Sequence, residues 1–131
     1  VNGRKASRHR RDQGSATIAA AITFPAVGLL FLTLAQAVMV SVARDVAQSA
    51  AEEGLRVARA RQGTFVQGRA AAASFARSEP VLQTPTITVS GANTISVRVT
   101  GTAPSLLPGV NFAVSRTARG ARERFTTPGP A

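Results

Sequence analysis

The sequence predicts an α+β chain: a long amino-terminal helix, transmembrane in its first half and amphipathic in its second, then a second short helix and a small three-stranded antiparallel sheet. Three observations predict it. Residues 18–43 form an uncharged, mostly apolar block. Small and apolar side chains then recur at helical spacing as far as residue 61. After Pro80 the pattern changes to period two.

The first element is set by charge. Residues 1–13 carry five basic side chains against Asp12, residues 14–43 carry no charge, and residues 44–131 carry 11 Arg against five acids. The 26 residues from 18 to 43 make a helix of roughly 39 Å at about 1.5 Å per residue. A bilayer core of about 30 Å needs around 20 apolar residues, so the block spans it. The basic cluster ahead of the block is expected to stay cytoplasmic, which puts the carboxy-terminal region outside. Further on, Val42, Val46, Ala47, Ala50, Gly54, Val57 and Ala58 follow the i, i+3, i+4, i+7 template. One helix is therefore expected from about Ser15 to Arg61, ended at Gln62-Gly63.

Thr64 is the expected cap of the second helix, Phe65 to Arg77, which Pro80 terminates. Its run of alanines at 70–73 reads as a packing face, because alanine carries no functional group. Three strands are then expected at 86–89, 95–100 and 110–115, with Ile95, Val97 and Val99 on one face. Gly91-Ala92-Asn93 supplies the turn between the first two. Such a sheet needs a partner layer, and the second helix is the expected one.

Composition argues against catalysis. With no cysteine there is neither a thiolate nucleophile nor a disulfide framework, and the single His9 lies in a run of arginines. No catalytic residue, metal site or cofactor is expected. The net charge of +10 invites a nucleic-acid reading, but no recognised module signature is present, so no nucleic acid is expected as a partner.

Several readings of the amino-terminal segment compete. A cleaved secretory signal would end at Ala35-Gln36-Ala37, yet the apolar run is already 17 residues long at Leu34 and continues beyond the site. A twin-arginine signal on Arg10-Arg11 lacks an apolar segment directly after it. An uncleaved anchor is a further reading. A prepilin-like leader fits the words RRDQG/SATIAAAITFP, with a basic leader ending at Gly14, then small residues, and Pro25 as the eleventh residue after that glycine. Glycine gives a peptidase an unhindered bond.

These residues, with AQSAAEEGLRVARA after the span and the ending VTGTAPSLLPG…RTARGARERF, resemble the TadE-like family. Its members are pilin-like components of the tight-adherence (Tad, or Flp) type IV pilus assembly machinery, and the resemblance is to the actinobacterial form. It covers nearly everything from Asp12 to Phe125. It implies a pilin-like fold and a non-enzymatic minor pilin or pseudopilin. It also implies cleavage between Gly14 and Ser15 by a prepilin peptidase. The implied partners are that peptidase, other pilin-like subunits, the Tad inner-membrane assembly platform and membrane lipid. The implied location is the cell membrane, single-pass, with possible entry into a surface pilus or secretion filament. Pilin-type sequences usually carry glutamate five residues after the cleavage point, where this chain has Ala19.

The resulting organisation is a basic prepilin-like leader over 1–14, a transmembrane helix over 15–43 and an extracytoplasmic helical region over 44–79. An antiparallel β region over 80–125 and a disordered tail over 126–131 complete it. Ala20, Pro25, Ala26, Gly28 and Ala35 are the expected helix-packing positions, since small side chains permit close approach; they are equally what an alanine-rich composition would supply. Pro25 removes one backbone donor and loosens the helix locally. Two other functions stay open: a secreted binding domain released after Ala37, and an anchored envelope protein unrelated to pili.

Overall fold

A computed structural model describes residues 3–123, with side chains described from residue 12 onward. The order is helix α1 (Gly3–Arg59), helix α2 (Phe65–Ser78), then strands β1 (Gln83–Ser90), β2 (Thr94–Ala103) and β3 (Phe112–Ala121). The fold is α+β with a pilin-like layout: a long apolar amino-terminal helix, a short second helix and a three-stranded antiparallel sheet in the order β1-β2-β3.

Helix α1 begins at Gly3, twelve residues before the expected Ser15. No proline precedes Pro25, and Gly14 alone costs a helix only about 1 kcal/mol relative to alanine. Extending an existing helix is far easier than nucleating one. The tail expected over 126–131 lies outside the described residues.

The region from Ala37 onward forms one packed unit, and the segment up to Gln36 forms another. In the first-mentioned unit, α1 buries Ala43, Ala47, Ala50, Ala51, Leu55 and Ala58, a seam with Gly54 inside it. Val42 and Val57, expected on this seam, lie at its margins: Val42 is exposed and Val57 half-buried. Helix α2 buries Gly68, Ala72 and Ala76, one side at i, i+4, i+8.

The two helices cross where neither has a side chain. A Cβ at Gly68 would lie 2.6 Å from Ala58 Cβ and 2.8 Å from the Gly54 carbonyl oxygen. One at Gly54 would lie 2.8 Å from Ala72 Cβ and 3.2 Å from Val97 Cγ1. The core therefore has three parties at one point: α1, α2 and β2. The sheet packs on α1 as well as on the expected α2, because the alanine seam is shallow enough to admit both.

The connections follow local chemistry. Gly63 closes α1, where a Cβ would overlap the Val57 carbonyl oxygen, and its N–H donates to Ala60 O at 2.8 Å. Thr64 caps α2 as expected. Gln67 N–H donates to Thr64 Oγ1 and Thr64 N–H donates to Gln67 Oε1, each at 3.1 Å. Gly91, with φ +114°, makes the turn into β2.

Strand boundaries differ from expectation in all three strands, β2 running Thr94–Ala103 rather than 95–100. β1 starts at Gln83 and carries an irregularity between Gln83 and Thr86, where Thr84 has φ 45°; Pro85 is tolerated because β1 is an edge strand. β3 runs Phe112–Ala121 rather than 110–115, and Val110 lies exposed outside it. Its inward positions, paired with β2, are Phe112, Val114, Arg116, Ala118 and Gly120. Only the first two are large and apolar. At Gly120 the room is taken by α1, since a Cβ there would be 3.3 Å from Leu55 Cδ2.

The helix crossing generates a prediction. Gly68→Ala adds about 1 kcal/mol of helix propensity but forces two backbones apart, which costs about 1–3 kcal/mol. Gly68→Leu can only be worse. In thermal unfolding of the detergent-solubilised chain, Gly68→Leu should lower Tm by roughly 5 °C or more. An unchanged Tm would mean that the helices do not meet there.

Candidate functional site

Between Ile18 and Leu34, α1 exposes large apolar side chains on every side. Ile22 is 69% exposed, Phe24 78%, Leu30 68% and Phe31 67%. Ile18, Val27, Leu29 and Leu34 are exposed as well. Leu29, Leu30 and Phe31 are consecutive, so at about 100° per residue they point in three directions. This is no amphipathic stripe. The second half of α1 buries one seam only.

The helix Asp12–Arg59 contains the apolar stretch and is long and apolar enough to cross a membrane. Two of its hydroxyls are compatible with a dry surrounding. Thr17 Oγ1 donates to Gln13 O at 2.8 Å, and Thr33 Oγ1 donates to Leu29 O at 2.7 Å. These hydroxyls are satisfied within the helix, so removing water leaves neither donor unpaired.

The residues singled out from sequence fall as follows. Gly14 and Ser15 are exposed on the helix, and nothing lies within 4 Å of a Cβ placed on Gly14. The bond between them is thus sterically open, and glycine weakens the helix at that point. Ala19 is exposed, Ala20 is half-buried, and Pro25, Ala26, Gly28 and Ala35 are exposed. Ala20, Gly28 and Ala35 share one side of the helix, within about 80° of arc, with Pro25 at its margin, whereas Ala26 turns away. Three of the five packing positions therefore form a stripe. Pro25 lies inside α1 and leaves the Ala21 carbonyl without its usual donor.

A second surface was not singled out from sequence. On the solvent side of the sheet, cross-strand pairing builds three rows: Thr86–Thr100–Ser115, Thr88–Arg98–Thr117 and Ser90–Ser96–Arg119. All nine side chains are hydroxyls or guanidinium groups. Arg98 Nε donates to Thr117 Oγ1 at 3.4 Å, and Thr88, Ser90, Ser96, Arg98 and Arg119 line a shallow depression. The signal was present in the strings TITVS, SVRVT and SRTAR, but only register aligns them into a grid.

Several charged groups elsewhere are paired locally. Arg56 Nη2 lies 2.6 Å from Glu53 Oε1, Gln48 Nε2 donates to Glu52 Oε1 at 2.8 Å, and Arg59 Nη2 lies 3.7 Å from Glu123 Oε1. Glu52 and Glu53 thus face different partners. Among the described residues, no three His, Cys, Asp or Glu side chains converge as a metal site would require.

No family model, curated protein or solved structure matches this chain.

Proposed function

We propose that this chain is a non-enzymatic, TadE-like minor pilin or pseudopilin that acts in assembly of a Tad-type pilus or a related secretion filament. The observation that carries the reading is the apolar segment of α1, exposed on all sides. Leaving eight large apolar side chains in water forgoes on the order of 10 kcal/mol or more, at about 1.5–3 kcal/mol each. That equals the whole stability of a typical domain. Such a segment is kept only if something apolar surrounds it. Lipid does so before assembly, and neighbouring pilin-like helices do so within a bundle.

The pilin-like layout supports the same reading, with the apolar helix first and a small α+β unit after it. In this account the chain is a single-pass membrane protein. Its basic amino-terminal flank is cytoplasmic and its sheet extracytoplasmic. A prepilin peptidase cuts the open bond after Gly14, and the assembly platform and other pilin-like subunits receive the mature helix. Ala20, Gly28 and Ala35 are the positions at which a neighbouring helix comes nearest. The new amino terminus at Ser15 has no glutamate at Ala19 to neutralise a neighbour's terminal ammonium, and an unpaired charge in an apolar bundle is costly. Repeated stacking along a shaft is therefore disfavoured, and an initiating or capping role fits better.

Sequencing the amino terminus of the native protein tests the reading. Ser15 is the expected first residue, and Gly14→Val should leave the longer, unprocessed form inserted in the membrane. A first residue at Val38 would instead identify a secreted domain, and an uncut chain an ordinary anchor. The Ala19→Glu variant should enter filaments at several times the wild-type copy number, measured by quantitative immunoblotting of sheared filaments. Unchanged incorporation would remove the argument from the missing carboxylate.

A further inference from the structure

The solvent face of the sheet carries a charge arrangement that packing does not require. Residues 80–122 contain four arginines (Arg98, Arg116, Arg119 and Arg122) and no aspartate or glutamate. Two of them, Arg98 and Arg119, stand on the same face as diagonal neighbours, because Arg98 pairs with Thr117 and Ser96 with Arg119. Such neighbours are about 7–8 Å apart. Like charges this close repel, and no carboxylate in the nine-position grid offsets them. The surrounding positions are hydroxyls, each able to donate and to accept.

We propose that this face binds a linear polyanion in which phosphodiester groups alternate with short polyol units. Arg98 and Arg119 each hold a phosphate, a geometry the planar guanidinium suits because it offers two parallel N–H donors. The hydroxyls of Ser96 and Thr117, the other two corners of the square that the arginines span, meet the polyol oxygens between them. A short repeat, of the order of a three-carbon polyol phosphate, is compatible with that diagonal spacing.

Two other polyanionic partners fit less well. Single-stranded nucleic acid is bound by aromatic side chains on which bases stack, and the grid has none. A membrane surface is held by apolar side chains inserted beneath the headgroups, and the grid has none of these either. The inference stands on the sheet alone and is independent of the role of α1.

The test uses the full chain in nanodiscs of phosphatidylcholine, with poly(glycerol phosphate) titrated by calorimetry. The double variant Arg98→Gln/Arg119→Gln should bind at least tenfold more weakly than wild type. Arg69→Gln/Arg77→Gln, which removes the same charge from the exposed side of α2, should stay within twofold. Arg98→Lys/Arg119→Lys should fall between the two, since lysine keeps charge without the bidentate geometry. Should the double glutamine variant fail to fold by circular dichroism, Arg119→Gln alone should still lose about threefold. Absence of wild-type binding, or equal losses from the sheet and helix pairs, would overturn the proposal. So would tighter wild-type binding to single-stranded DNA or to phosphatidylglycerol vesicles than to the polymer.

Discussion

The structure depends on the contrast between the two halves of α1. In the first, the large apolar side chains from Ile18 to Leu34 are nearly all exposed, on every side of the helix. In the second, an alanine and glycine seam is buried completely. A helix that keeps bulky side chains unburied and small ones buried inverts the usual use of size in a water-soluble core. The inversion makes sense if the two halves meet different surroundings. Bulky side chains suit hydrocarbon, where reach and dispersion count. Small ones suit a crossing where backbones nearly touch.

The rest of the fold follows from how thin that crossing is. Gly54, Ala58, Gly68 and Ala72 bring α1 and α2 together, and β2 closes over them through Val97. A small unit of this kind gains stability from few large residues; Ile95, Val97 and Val99 are the largest fully buried side chains. All three are on the central strand. The edge strands contribute less, which is why an irregularity in β1 and an arginine on the inward side of β3 are both tolerated.

Much of this was legible in the sequence, for identifiable reasons. The uncharged block, the Thr64 cap, the Gly63 stop and the alternation around Ile95, Val97 and Val99 are local signals, each carried by a few adjacent residues. The start of α1 was not legible, because Arg, Lys, Ala and Gln are good helix formers whether or not they belong to a leader. The course of β3 was hidden by its inward residues: Arg116, Ala118 and Gly120 do not alternate as apolar groups, and their register comes from pairing with β2. The seam on α1 takes in Ala43, Ala51 and Leu55, which the template left out, and leaves Val42 and Val57 outside it, because helical spacing alone does not say which of several adjacent small or apolar residues faces the sheet. The outer grid was invisible until three strands were aligned, because each contributes only three of its nine members.

The central claim is that the first half of α1 lies in an apolar surrounding on all sides. The chain has no native cysteine, so single cysteines can be placed at each position from Gly14 to Asp45, the last two of them exposed, and challenged with a water-soluble maleimide in lipid vesicles. The account predicts an unbroken protected block from about residue 18 to residue 42, with labelling returning at both flanks. Labelling that rises and falls every three to four residues through the block would show a helix covered on one face only, and would contradict it.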